Sequence, residues 1–311
     1  MNRLKDYILL FLKGMGMGGA DVVPGVSGGT IAFITGIYEE LLNSIKSIDL
    51  EALKLLFGLK IKDFWEKVNG RFLLTLFAGI LISLLTLSKL IGFWLANYPI
   101  QLWSFFFGLI IISSILVARE IKKWKAVMVL ALVVGTIVAF LITKFTPAET
   151  PESAWFVFIS GAIAICAMIL PGISGSFILL ILGKYSFIIN ALNERDIPII
   201  IVFALGCVVG LLSFSRFLSW LLQKFHHLMV AFLSGFMIGS LNKIWPWKET
   251  IETYVDRHGD VKPLVQENVW PTDYQALGNE PFVLQAILFG ALGIGLVVLI
   301  EKLAHLRKAS V

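Results

Sequence analysis

Two short segments of this 311-residue chain hold the residue types that bind anions: Pro24-Gly25-Val26-Ser27-Gly28-Gly29-Thr30 and Pro171-Gly172-Ile173-Ser174-Gly175-Ser176. Proline stops an incoming helix, and glycine lets backbone approach a ligand closely. A helix that restarts at Ser27 or Ser174 offers unpaired N–H groups and the positive end of its dipole, an arrangement that receives phosphate or carboxylate. Ser27, Gly28, Gly29, Thr30, Ser174, Gly175 and Ser176 are therefore the candidate substrate-binding residues, with Pro24, Gly25, Pro171 and Gly172 shaping the turns. The plainer alternative is that such residues make tight turns that pack well. Two copies of the segment favour the binding reading.

Three ionisable residues, Asp21, Lys89 and Arg216, fall within apolar stretches. A charge at a helix centre costs at least about 2.5–3.5 kcal/mol on insertion, so such residues are read as functional first. Lys89 and Arg216 are candidates for holding an anion, the alternative being that their long side chains snorkel to headgroups. Asp21 is a candidate proton-coupling carboxylate, or else the partner of a basic residue or a helix cap. Glu39, Glu40, Lys184 and the Arg119-Glu120 pair are expected at water interfaces. Gly25-Val26-Ser27-Gly28-Gly29 formally fits G-x-S-x-G, but that motif needs a strand-to-helix turn and a positioned histidine, and all four histidines fall in expected loops or tails. No zinc spacing, P-loop or dinucleotide fingerprint occurs, so neither metal nor cofactor is expected. Cys166 and Cys207 lie inside apolar runs and imply no disulfide framework.

The elements that must position these residues are membrane-spanning. The chain is 58% apolar and 15% charged, far from the balance of soluble domains. Six runs approach the ~20 residues of a crossing: 71–97, 100–118, 126–143, 197–222, 228–245 and 282–300. Residues 7–38 and 155–189 are apolar stretches broken by Pro-Gly-x-Ser-Gly and are expected to be re-entrant hairpins, because non-helical backbone at membrane depth survives only when buried in protein or facing a water-filled cavity. With the N-terminus in the cytoplasm, this arrangement places 17 Lys/Arg inside and 7 outside, as the positive-inside rule requires. Full crossing by both hairpins puts the basic 46–71 and 119–125 loops on the wrong side. The net charge of +5 thus reflects topology and not nucleic-acid binding.

The chain also matches itself. At an offset of 147, Pro24, Gly25, Ser27, Gly28, Ile31, Gly36 and Tyr38 meet Pro171, Gly172, Ser174, Gly175, Ile178, Gly183 and Tyr185; at an offset of 127, Ser88-Lys89-Leu90 meets Ser215-Arg216-Phe217, and Gly108 and Ser113 meet Gly235 and Ser240. The expected fold is an all-α integral membrane protein, an inverted-repeat bundle of six crossings and two re-entrant helical hairpins. Repeat 1 is 1–118 (hairpin 7–38, cytoplasmic amphipathic connection 44–70, crossings 71–97 and 100–118). A linking crossing occupies 119–154. Repeat 2 is 155–246 (hairpin 155–189, crossings 197–222 and 228–245), followed by an outer loop 247–281 and a final crossing with cytoplasmic tail, 282–311. Inverted repeats with broken helices are characteristic of secondary transporters, whose site lies at the repeat interface. Gly206-x-x-x-Gly210 and Gly235-x-x-x-Gly239 are expected to pack helices within the bundle.

The stretches Gly18–Thr30, 168–176, 233–240 and Ile244-Trp245-Pro246-Trp247 resemble a bacterial family of polytopic membrane proteins, the PopT-type undecaprenyl-phosphate translocases, over about residues 10–300. The resemblance implies a cytoplasmic-membrane flippase, not an enzyme, that returns undecaprenyl phosphate or a similar anionic polyprenyl lipid from the outer to the cytoplasmic leaflet for reuse in wall synthesis. Both termini are expected in the cytoplasm. The residues alone leave open a transporter of a small soluble anion or an intramembrane hydrolase of polyprenyl lipids.

Overall fold

The structure is a computed structural model and describes residues 3–23, 25–147, 150–255 and 261–309. It is an all-α integral membrane protein. Five helices are long and apolar enough to cross a bilayer: α6 (Gly70–Asn97), α7 (Pro99–Ala118), α8 (Ala126–Lys144), α12 (Ile197–Ser240) and the first part of α14 (Val283–Ala309). α7 is the central one, with most of its apolar residues buried, whereas the others turn most of theirs outward to lipid.

Each of the two interrupted stretches folds as a long helix, a short helix and a third helix. The first is α1 (Arg3–Val22), α2 (Gly28–Ile34) and α3 (Tyr38–Lys46); the second is α9 (Ala154–Ile169), α10 (Gly175–Ile181) and α11 (Tyr185–Glu194). α10 and α11 meet at 106°. Glycines at matching positions take the same left-handed backbone, Gly36 at φ +70° and Gly183 at φ +62°. The connection expected to be amphipathic forms α4 (Leu50–Phe57) and α5 (Ile61–Lys67), which with the turn between them expose Leu50, Phe57, Leu59 and Ile61.

Long crossings pack on the hairpins through glycine. A Cβ on Gly14 or Gly79 collides with backbone of the facing helix, α6 or α1; Gly161, Gly206 and Gly210 do the same between α9 and α12. Membrane helices gain little from apolar contact with one another compared with lipid, so this close backbone approach is what holds them together. The last two pairs use it too: Gly108 and Gly293 join α7 to α14, and Gly235 and Gly239 join α12 to α8. Both GxxxG segments thus pack inside the bundle.

The crossings 197–222 and 228–245 are two helical limbs of α12 that meet at a kink at Phe225 (φ −131°, ψ 43°). Tyr98, which separates α6 from α7, has nearly the same dihedrals (φ −136°, ψ 52°) and lies 127 residues earlier. Pro99 has no N–H to continue the helical ladder, whereas His226 at the matching position has one. The segment between α12 and α14 contains an antiparallel hairpin, β1 (Lys248–Val255) and β2 (Val261–Asn268), and a short helix α13 (Pro271–Ala276). It is tied to the bundle by hydrogen bonds from Trp245 Nε1 to Val269 O (2.9 Å) and from Trp247 Nε1 to Pro281 O (2.8 Å).

Candidate functional site

At both tips the backbone turns through a left-handed glycine, Gly25 at φ +86° and Gly172 at φ +104°. Side chains other than glycine rarely adopt this conformation. Pro24 lies outside the described residues, while Pro171 is buried. Two residues further on, Ser27 (φ −120°, ψ 135°) and Ser174 (φ −95°, ψ 147°) are extended N-caps of α2 and α10. Serine caps such ends because its oxygen accepts from the first free N–H groups: Ser27 Oγ accepts from Gly29 N (3.0 Å), and Ser174 Oγ from Phe177 N (3.3 Å).

The two tips interlock. Gly25 N–H donates to Ser174 Oγ (3.0 Å), Gly172 N–H donates to Thr30 Oγ1 (2.9 Å), and Ser27 Oγ–H donates to the carbonyl of Met168 (2.8 Å). Tyr38 supports the junction by donating to Ile169 O (3.2 Å), and Ser176 Oγ lies 3.2 Å from Ser174 Oγ. Ser27, Thr30 and Ser174 are fully buried. Gly29 faces the Ile169 carbonyl so closely that a Cβ has no room. Among the predicted binding residues, Ser27, Gly28, Gly29, Thr30, Ser174, Gly175 and Ser176 are therefore brought to one place. In this conformation their donors and acceptors serve each other.

The repeat is not exact at the charged position. Asp21 Oδ1 accepts from Gly28 N (2.7 Å), capping α2 beside Ser27, while the matching Met168 offers its carbonyl instead. Asp21 is partly buried and has no salt-bridge partner among the described residues. A single carboxylate thus lies at the N-terminus of a short helix inside the bundle, beside the junction.

The basic residues go elsewhere. Arg216 donates to Ile48 O (2.9 Å) in the α3–α4 connection and to Leu212 O (3.3 Å) of its own helix. Lys89 is exposed on α6 and makes no hydrogen bond or ion pair among the described residues. Lys184, expected at a water interface, is instead buried: its Nζ donates to Thr150 O (2.8 Å) between the rings of Phe156 and Phe187. Gly183 turns the chain inward just before it, which local sequence does not signal. A cation beside the junction, Lys243, was missed. The Lys243 side chain runs over Gly25, where a Cβ is only 2.7 Å from its Cγ. From sequence it counted only as an outer-loop charge; its place beside the Trp245-Pro246-Trp247 segment is the one available hint.

A family model described as undecaprenyl phosphate translocase-like matches residues 17–262. A curated relative from Vibrio cholerae serotype O1, named polyprenyl-phosphate transporter, is 47% identical over 301 residues, covering 96% of this chain and 98% of its own. A second, from Staphylococcus aureus and named likewise, is 31% identical over 254 residues, covering 76% of this chain and 85% of its own. No solved structure matches.

Proposed function

Because this chain belongs to the undecaprenyl phosphate translocase-like family, we propose that it carries undecaprenyl phosphate, or a similar anionic polyprenyl lipid, from the outer to the cytoplasmic leaflet of a bacterial cytoplasmic membrane. The two halves act as an inverted repeat with both termini in the cytoplasm, and each hairpin enters and leaves on its own side. One observation carries the reading at the level of residues: the paired tips are a set of backbone N–H groups whose present acceptors are neutral hydroxyls. A neutral hydrogen bond contributes about 0.5–1.5 kcal/mol net, and one to a charged acceptor about 1.5–3. A phosphate arriving at the junction offers the better acceptor to Gly25 N and Gly172 N and displaces Ser174 Oγ and Thr30 Oγ1. The tips then part around the headgroup while the polyprenyl tail stays in lipid. Arg216, on the cytoplasmic side, receives the phosphate as it leaves; Lys89, toward the outer leaflet, draws it in. No covalent step is required, and the Ser27 hydroxyl is engaged with Met168 O.

The test is leaflet exchange of undecaprenyl phosphate in liposomes containing the protein. Ser27→Ala combined with Ser174→Ala is expected to slow exchange about tenfold or more, because losing the caps of α2 and α10, about 1 kcal/mol each, loosens the tips that present Gly25 N and Gly172 N. Wild-type exchange no faster than in empty liposomes, under an imposed proton gradient and with folded protein, overturns the lipid reading and favours a soluble anion.

Asp21 couples the step to protons in this scheme. A phosphate at the α2 N-terminus repels the Asp21 carboxylate, and proton uptake removes the repulsion. Asp21→Asn keeps an acceptor for Gly28 N but cannot titrate. It is expected to leave exchange without a proton gradient within about threefold of wild type and to abolish acceleration by the gradient; a variant still accelerated removes Asp21 from coupling.

A further inference from the structure

A cavity of about 110 Å³ lies between the end of α8, α10 and the loop that follows α12. Its polar side holds Lys144, Lys243, Lys248 and Asn242, and its apolar side Phe177 and Leu180. Three lysines face one carboxylate, that of the exposed Glu267. The lysines differ in what they do. Lys144 is exposed, near the ring of Phe140. Lys248 Nζ donates to Lys243 O (2.6 Å) and sits 3.7 Å over the ring of Trp103, so it pins the loop to α7. Lys243 Nζ has no hydrogen-bond or ion-pair partner among the described residues and lies 4.3 Å over the ring of Phe177. Asn268 and Thr143 fix the floor by bonding Asn242 (2.7 and 2.8 Å). A half-buried lysine whose ammonium lies over an aromatic face, with no ion-pair partner among the described residues and a polar cavity beside it, is half of an ion pair.

The geometry points to a receiving site for a phosphate monoester in this cavity, with Lys243 as the cation that contacts it. This rests on the proposed topology, which puts the cavity on the outer side. The stem of Lys243 covers Gly25 of the first hairpin tip, and Phe177 and Leu180 belong to the α10 helix of the second. A headgroup bound here is one step from the junction, and the apolar wall of α10 guides the first isoprene units. Lys248 and Asn242 are positioning residues: they shape the loop that aims Lys243.

Burial pushes the Lys243 ammonium down to about 8, and Lys248, itself pushed well down by burial and by Lys243, adds no acceptor. The charged groups facing it are Lys248, Lys144 and Glu267. A lysine binds an anion in its protonated form, which dominates below the lowered value and is lost above it. The second ionisation of a phosphate monoester falls near 6. Affinity is therefore expected to rise from about pH 5 to 7 and to fall above about pH 8.

The experiment uses the full chain in detergent, with a fluorescent short-chain prenyl phosphate as probe and inorganic phosphate as competitor. Lys243→Met is expected to weaken prenyl phosphate binding at least about tenfold, Lys243→Arg to stay within about threefold and hold its affinity above pH 8, and Lys224→Met, at the far end of the first limb of α12, to bind as wild type. Binding by Lys243→Met within twofold of wild type overturns the site while leaving leaflet exchange untouched. Inorganic phosphate binding that depends on Lys243, with no prenyl phosphate binding in wild type, keeps the site and overturns the lipid reading. If Lys243→Met does not fold, the pH profiles decide: coincident profiles for wild type and Lys243→Arg overturn the proposal.

Discussion

Gly29→Leu is expected to slow lipid exchange by about a hundredfold while the protein still folds. Gly29 abuts the Ile169 carbonyl of the opposite hairpin, where there is no room even for a methyl group. The obstacle is backbone at the end of a packed helix, not the end of a flexible side chain, so the tips themselves must separate. Overpacking of this kind costs about 1–3 kcal/mol, and parting the tips also breaks the bonds between Gly25 and Ser174 and between Gly172 and Thr30. A loss near 3 kcal/mol in the step that uses this junction is roughly a hundredfold in rate. Gly92 on α6 has open space on its side-chain face, with nothing within 4 Å of where a Cβ would stand, so Gly92→Leu is the control and is expected to behave as wild type. Exchange by Gly29→Leu at the wild-type rate excludes the tip junction from the path.

The largest expected effect on stability is from Gly235→Leu. Gly235 lies against the backbone of Leu132, and a Cβ there overlaps the carbonyl oxygen. Lipid is as apolar as leucine, so once the backbones are forced apart nothing replaces the lost contact. Gly239, one turn on, meets Thr136 and Ala139 and loses its contact as well. A cost of about 3 kcal/mol is expected, read as a melting temperature in detergent lowered by about 5 °C or more. Gly295→Leu, at a position with open space around it, should melt as wild type. A Gly235→Leu protein that melts like wild type means the α8–α12 pair is held by something other than close approach.

The tips and the crossings were legible because each has a local physical cause. Proline, left-handed glycine and a serine cap specify a broken helix within a few residues, and the self-match at 147 announces the second copy. The match at 127 extends to Tyr98 and Phe225, whose dihedrals agree although their residue types differ. What was not legible depends on distant partners. α8 packs on the second limb of α12 as α14 packs on α7: Gly235 meets Leu132 and Gly135 meets Phe232, just as Gly108 meets Gly290 and Gly293 meets Phe105, a correspondence of α8 with α14 at an offset of 158 that only the packing reveals. Lys184 and Lys243 were read by their loops, and only the surrounding rings and carbonyls reveal that both are drawn inward. The β1–β2 hairpin did leave a signal, β-branched residues on both sides of the turn-favouring sequence His258-Gly259-Asp260.

The interlocked tips also set a schedule for biosynthesis. Gly25 N finds its acceptor 149 residues later in the chain, and the carbonyl taken by Ser27 comes 141 residues later. At a ribosomal pace of about 5–20 residues per second, roughly 7–30 s pass between emergence of the first tip and of its partner. Throughout that interval the first tip lacks the acceptors that the second supplies to Gly25 N–H and the Ser27 hydroxyl. The junction therefore closes only after more than half of the chain has been made, and a chain that stops short of residue 168 lacks every partner that the second tip gives to Gly25 and Ser27.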